Sequence, residues 1–122
     1  MTVGPLAELL AGIEPLEKLC FDCVRDDALA RAIAGAGKNT FVMAGIEAHV
    51  CVSQTCLDLV ADGFRVVVVA DAVSSRTPEN HRFGLDRMRA AGAVIVSTEM
   101  LLFELLEQAG TDEFKQILAL VK

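Results

Sequence analysis

The stretch TFVMAGIEAHVCV, residues 40–52, decides how the rest of the chain reads. Thr40 to Ala44 is an apolar run of strand length, read as a buried strand that breaks at Gly45. A tight corner over Ile46 to Val50 follows. Cys51 then stands at the mouth of a helix predicted to run to about Asp62. A thiol there meets backbone N–H groups with no partner inside the helix, at the positive end of the helix dipole. That setting favours the nucleophilic thiolate. The competing use of Cys51 is as a small apolar filler of the strand–helix junction, a common fate of cysteine.

Working outward, Val52, Cys56, Leu59 and Val60 fall at i, i+4, i+7 and i+8, one face of that helix, and Gly63 stops it. Arg65 to Val69 carries four consecutive valines, the mark of a strand covered on both faces, with Asp71 as its expected end. Ser74, Ser75 and Arg76 read as loop. Thr77 caps a helix with Pro78 at its first position. That helix runs to Ala91 with Leu85, Met88 and Ala91 inward, and Gly92 ends it. Ala93 to Val96 is a short strand. Two further helices follow, Glu99–Ala109 and one capped by Thr111 with Phe114, Ile117, Leu118 and Val121 as its stripe.

Before residue 40 the signals are weaker. Leu6 to Leu10 reads as a short helix or loop and Pro15 to Phe21 as a short strand. Asp26 or Asp27 caps a helix to about Ala36. From Thr40 onward the β-α-β-α-β-α order implies an α/β fold: a mainly parallel sheet with right-handed crossovers and helices on both faces, three layers in all. Ligands of such sheets bind beyond the carboxyl ends of the strands, which puts Cys51, Asp71 and Arg76 on the expected site edge.

The length of 122 residues fits one domain, residues 1–122, able to bury roughly two thirds of its unfolded surface. The net charge of −6 argues against nucleic acid or an anionic membrane surface as partner. No run approaches the roughly 18 apolar residues of a membrane span, and the N-terminus lacks a signal-like pattern. The expectation is a cytoplasmic, reducing location in which the four cysteines are thiols. Dinucleotide, phosphate-loop, zincin and G-x-S-x-G motifs are all missing. No cofactor and no metal are expected.

Cys20-Phe21-Asp22-Cys23 is a single C-x-x-C pair, weak as a zinc signal without a second pair. Two core or pocket-wall thiols, or a dithiol redox site, are the other readings. His49 admits contact with substrate or thiol, and a structural or interface use. Arg76 admits an anionic substrate or Asp71 as partner. Asp71 is read as a carboxylate that takes loop N–H groups.

At residues 44–76, AGIEAHVCVSQTCLDLVADGFRVVVVADAVSSR, followed by RM-RAAGA, STE and EFKQILALVK, the chain resembles the isochorismatase-like cysteine hydrolases. The resemblance is to the isochorismatase domain-containing type and covers nearly the whole chain. It implies an α/β fold with a six-stranded, mainly parallel sheet. It also implies a cysteine nucleophile at Cys51 and a cis peptide bond at Ile46–Glu47. Backbone N–H groups of Glu47 and Cys51 would receive an oxyanion, and Phe21 would line the pocket beside the candidates His49 and Arg76. The implied activity is hydrolysis of a small amide or related C–N substrate through a thioester. The alternative is a non-catalytic binding or assembly module on the same fold.

The chain departs from the family in lacking a match to its Asp and to its Lys, which the reading places in a T-E-Q-Y-P-K-G-L-G-like stretch. Lys18 and Lys38 are not assigned the lysine's role, nor Asp22, Asp26 and Asp27 the base's. The chain therefore reads as the C-terminal two thirds of the family domain, with impaired chemistry. Its Thr40–Ala44 strand is expected to be an exposed apolar edge, and the chain a homo-oligomer or poorly stable.

Overall fold

The computed structural model describes residues 4–121. Three parallel strands form one sheet in the order β1 (Thr40–Ile46), β2 (Arg65–Ser74), β3 (Val94–Val96). The helices are α1 (Gly4–Leu9), α2 (Asp27–Gly35), α3 (Ser53–Ala61), α4 (Pro78–Ala91), α5 (Thr98–Leu106) and α6 (Asp112–Val121). A π-helical turn, Ala48–Val52, leads directly into α3.

The helix starts follow from local chemistry. Asp26 accepts from the N–H groups of Ala28 and Leu29 to open α2. Thr77 accepts from Asn80, with Pro78 at the first position of α4, and Gly92 closes that helix in the left-handed conformation, φ +111°. Ser97 opens α5 through Met100, and Thr111 opens α6 through Phe114.

β2 is the buried centre, with Val66 to Val69 each at most 6% exposed. On one face Phe41, Met43, Val66, Val68 and Ile95 join Cys56 and Leu59 of α3 and Met88 of α4 in the main core. On the other, Val67, Val69 and Val96 pack against Leu101 of α5.

Several boundaries differ from the sequence reading. β1 does not break at Gly45 but continues to Ile46, with Gly45 at φ +113° in a register shift. Met43 pairs with Val68 and Gly45 with Val73, so two steps along β1 match five along β2. Asp71 therefore does not end β2, which runs to Ser74. The extra length is a bulge, the device by which sheets bend and re-aim side chains beside sites. β1 is not the buried strand expected: Phe41 and Met43 are half-buried on one face and its other residues are exposed, because no strand pairs with its outer edge among the described residues. Val42 is 52% and Ile46 74% exposed on a strand with a free edge, as the edge expectation has it. Residues 15–21 form no strand. Lys18 Nζ donates to the carbonyls of Cys20 and Phe21, at 2.7 and 2.8 Å, and curls the segment into bends. α5 ends at Leu106 rather than Ala109, and Ala91 is exposed rather than inward.

Candidate functional site

The helix carrying Cys51 begins three residues earlier than its apolar spacing suggests, at Ala48. Glu47 precedes it in extended conformation and supplies no side-chain cap, so the usual sequence signal of a helix start is missing. Instead the Glu47 carbonyl accepts from the N–H groups of Val50 and Val52, at 3.1 and 3.2 Å, the second bond being the wide i to i+5 closure of a π turn. The peptide bond Ile46–Glu47 is cis. Ala48 is fully buried in the main core.

The turn is held from behind by a residue that no spacing pattern singles out. Gly84 of α4 lies so close that a Cβ there would meet Ala48 C and O and His49 N, all at 3.0 Å. Only glycine lets the two backbones approach this far.

In front, the loop after β2 fastens the turn. Arg76 does not pair with Asp71. Its guanidinium grips Glu47 bidentately, Nε to Oε1 at 3.0 Å and Nη2 to Oε2 at 2.7 Å, and its backbone N–H also reaches Oε1. This fork of charge-assisted hydrogen bonds holds the Glu47 carboxyl below the usual carboxylate range. His49 Nδ1 and Ser75 Oγ are hydrogen-bonded at 3.0 Å. Asp71 accepts from the hydroxyl and the backbone N–H of Thr98, at 2.8 and 2.7 Å, and those bonds lower its pKa.

Cys51 opens the other way. Residues two apart on a helix face different directions, so His49 and Cys51 separate. The half-buried Cys51 lines a cleft of about 190 Å³ with the apolar Met43, Ala44, Ile46 and Val52 and the polar Lys18, Cys23 and Thr55. Thr55 Oγ1 accepts from Cys23 N–H at 3.0 Å, which seats the 20–26 segment against α3. Lys18, set aside on sequence grounds, is thus a wall of the cysteine cleft; 32 residues of chain lie between it and Cys51, and only the fold brings them together. Glu47, His49 and Arg76 cluster with Ser75. Phe21 is 61% exposed and is not among the cleft-lining residues.

The other cysteines differ sharply. Cys56, one turn further along α3, is fully buried, and burial pushes its thiol up to about 11. Cys20 is exposed. Beneath the cleft segment Asp22 is only 2% exposed. Its Oδ1 accepts from Val24 N–H at 2.8 Å, while Oδ2 has no hydrogen-bond partner. Burial raises Asp22, and the neighbouring Asp58 adds to the rise; Asp58 itself is lowered by the Asp22 carboxyl and then by Arg25. Arg25 Nε stands 3.4 Å from Asp22 Oδ2 and 3.2 Å from Asp58 Oδ2. Among the described residues no group of three or more His, Cys, Asp or Glu is placed to hold a metal ion, and no helix is long and apolar enough to cross a membrane.

A parallel sheet flanked by helices, with a half-buried thiol on the turn beyond its first strand, defines an α/β domain of the isochorismatase-like fold. The Isochorismatase domain profile matches residues 3–100, and the chain belongs to that family. It is similar to a secreted isochorismatase effector, Isc1, of Phytophthora sojae, 49% identical over 70% of this chain and 40% of that protein. Among solved structures it is similar to MAR1 ribonuclease from Caenorhabditis elegans (TM-score 0.85, 34% identity, 99% of this chain and 62% of that one). It is also similar to nicotinamidase/pyrazinamidase PncA from Bacillus subtilis (TM-score 0.67, 25% identity, 76% of this chain and 53% of that one). The chain therefore spans less than two thirds of each of these relatives.

Proposed function

We propose that this domain is built for cysteine-dependent hydrolysis of a small amide or related C–N compound through a thioester. The observation that carries the reading is Cys51 lining a cleft shared with Lys18 at the end of β1. Cys51 Sγ attacks the carbonyl carbon, and the C–N bond breaks as the amine leaves. Water then releases the acid from the thioester. The N–H groups of Val50 and Val52 are engaged by the Glu47 carbonyl, and those of Glu47 and Cys51 are the proposed oxyanion donors. Lys18 supplies the cleft's positive charge. The likeness to a nicotinamidase supports an amide as the substrate class. The acidic net charge favours a small molecule over nucleic acid. We further propose a reducing, cytoplasmic setting and self-association of two copies through the free β1 edge, where Val42 and Ile46 are exposed.

One observation favours the second reading, a binding or assembly module. Among the described residues no carboxylate lines the cleft, so no base stands beside the thiol. Base catalysis is typically worth about 10²–10⁴-fold, and turnover by this chain is expected to be slow by that margin.

The test is acid-quenched mass spectrometry after exposure to a panel of small primary amides. The hydrolase reading expects an acyl adduct on Cys51, abolished in Cys51→Ala and weakened in Lys18→Met. Alkylation with iodoacetamide near pH 6 is the companion measurement, with Cys51 labelled well ahead of Cys56. Four thiols that react alike and slowly, with no adduct, would leave the module reading.

A further inference from the structure

Two thiols face the same cleft, and the hydrolase reading uses one of them. Cys23 and Cys51 are both unpaired and half-buried, and both line the space of about 190 Å³ beside Lys18. We propose that Cys23 is the resolving thiol of a peroxide-driven redox switch: oxidation of Cys51 by a hydroperoxide is captured as a reversible Cys23–Cys51 disulfide that closes the cleft.

The geometry supports this pair over the other pairings. Cys23 N–H is bonded to Thr55 Oγ1 at 3.0 Å, and Thr55 follows Cys51 by four residues along the helical segment. Side chains at that spacing stand about 5–6 Å apart at Cβ. Cys23 is therefore seated beside the helical turn that follows Cys51, on the cleft they share, and a disulfide needs their Cα atoms within roughly 4.4–6.8 Å. The approach falls to residues 20–26, a run of turns and bends outside any helix or strand, which moves at smaller cost than a packed element. The sequence suggests the pairing Cys20–Cys23 instead, but Cys20 turns away. Its Sγ lies 3.9 Å from the Arg25 carbonyl, in a separate hollow lined by Glu17, Lys18, Leu19 and Asp26. Cys56 is sealed in the core and held as thiol by its burial.

The chemistry balances in two steps. The Cys51 sulfur attacks one peroxide oxygen; the S–O bond forms, the O–O bond breaks, and the departing oxygen takes a proton to leave as water or alcohol. Cys51 is then a sulfenic acid, oxidised by two electrons. The Cys23 sulfur attacks that sulfur; the S–S bond forms, the S–O bond breaks, and the hydroxide leaves as water with the Cys23 proton. The net change is two thiols and one hydroperoxide to one disulfide, one alcohol or water, and one water. The switch regulates the thiol of the hydrolase reading and rests on that reading for its use, though the chemistry itself needs only that Cys51 be open to solvent.

The experiment treats the reduced 122-residue chain with stoichiometric hydrogen peroxide, blocks free thiols and maps peptides without reduction. The expected result is a dominant Cys23–Cys51 cross-link, loss of two of the four thiols, and full recovery with dithiothreitol. Cys20→Ser keeps the cross-link. In Cys23→Ser, Cys51 passes to the irreversible sulfinic acid at least about tenfold faster than in the parent chain. The wild-type map decides the matter even if a variant misfolds. A dominant Cys20–Cys23 cross-link, Cys51 sulfinic acid alongside a free Cys23, or an unreacted Cys51 would each overturn the proposal. Acyl-adduct formation measured on the reduced protein separates the two readings: an adduct without a cross-link removes only the switch, and a cross-link without an adduct removes only the hydrolase.

Discussion

On one face of the sheet Phe41, Met43, Val66, Val68 and Ile95 lie against two helices and enclose a fully buried Met88 and Cys56. On the other, Val67, Val69 and Val96 meet Leu101 of α5, and Val42 and Val94 stay 52% and 40% exposed. A parallel sheet is normally covered on both faces. The contrast separates two duties. The well-packed face fixes the cysteine turn, because α4 bears on that turn through Gly84. The thin face and the open β1 edge offer surface for association. Four tests would break or sharpen this division, here from the largest expected effect to the smallest.

Met88→Ala cuts the packed face at its centre. Truncating a buried methionine costs about 2–5 kcal/mol, and at about 3–6 °C per kcal/mol, between the values for smaller and larger domains, a thermal melt should fall by roughly 6–30 °C. Leu101→Ala on the other face should cost about 1 kcal/mol or less, since its side chain is only partly buried. Equal losses from the two would erase the distinction between the faces.

Gly84→Ala comes next. Alanine favours a helix by about 1 kcal/mol over glycine, yet here its methyl meets three backbone atoms of the cysteine turn. Overpacking of that kind typically costs about 1–3 kcal/mol. The melt should drop and the rate of Cys51 alkylation should change, while Gly35→Ala in α2, where nothing lies within 4 Å, leaves the labelling as it was and does not lower the melt. A Gly84→Ala protein with unchanged melt and labelling would detach α4 from the site.

Val42→Lys tests the open edge. The folded chain should lose no more than about 0.5 kcal/mol, since the residue is half exposed. Sedimentation should move toward the monomer if copies pair along β1. An unchanged sedimentation profile would place association elsewhere.

The smallest effect belongs to Asp22→Asn. Asp22 is raised by burial, so its protonated form suits the fold. Its stabilising contribution is complete below the ordinary value of 3.8 and is lost as pH rises through the raised value. Asp58 is lowered and acts oppositely, losing its contribution only as pH falls below 3.8. Denaturant midpoints measured from pH 3 upward should therefore show the variant gaining on the parent chain as pH rises through the raised range. A difference that is flat with pH would mean that Asp22 does not titrate there.

What was legible in the sequence was mostly local. Asp26, Thr77 with Pro78, Gly92 and Thr111 mark their helix ends by side-chain and backbone preferences that act within three residues. The four valines of β2 announce burial on both faces because a β-branched run between turn signals suits a strand covered on both sides. Of the candidate site, the strand–helix turn at Cys51 was legible in the residues and the cis bond Ile46–Glu47 in the resemblance. Its π turn has no cap residue to reveal it, since Glu47 works through its carbonyl toward the helix and through its carboxylate toward Arg76, 29 residues away. Lys18 was missed for the same reason of distance, and Gly84 because a close backbone approach leaves no trace in spacing. The 15–21 segment misread as a strand shows the converse. Its apolar residues have no strand to pair with, and one lysine reaching back to two carbonyls is enough to bend it.

The uneven pairing of β1 and β2 has a further bearing on how this chain tolerates change. Between Met43 and Gly45 the partner strand runs three residues long, five steps against two. That surplus is what carries Ser75 and Arg76 forward to His49 and Glu47. Excising three residues from the 69–72 stretch would let the strands lie flush and ease their ladder. It would also draw the serine and arginine back out of reach, so that a tidier sheet would leave the front of the cysteine turn unclasped.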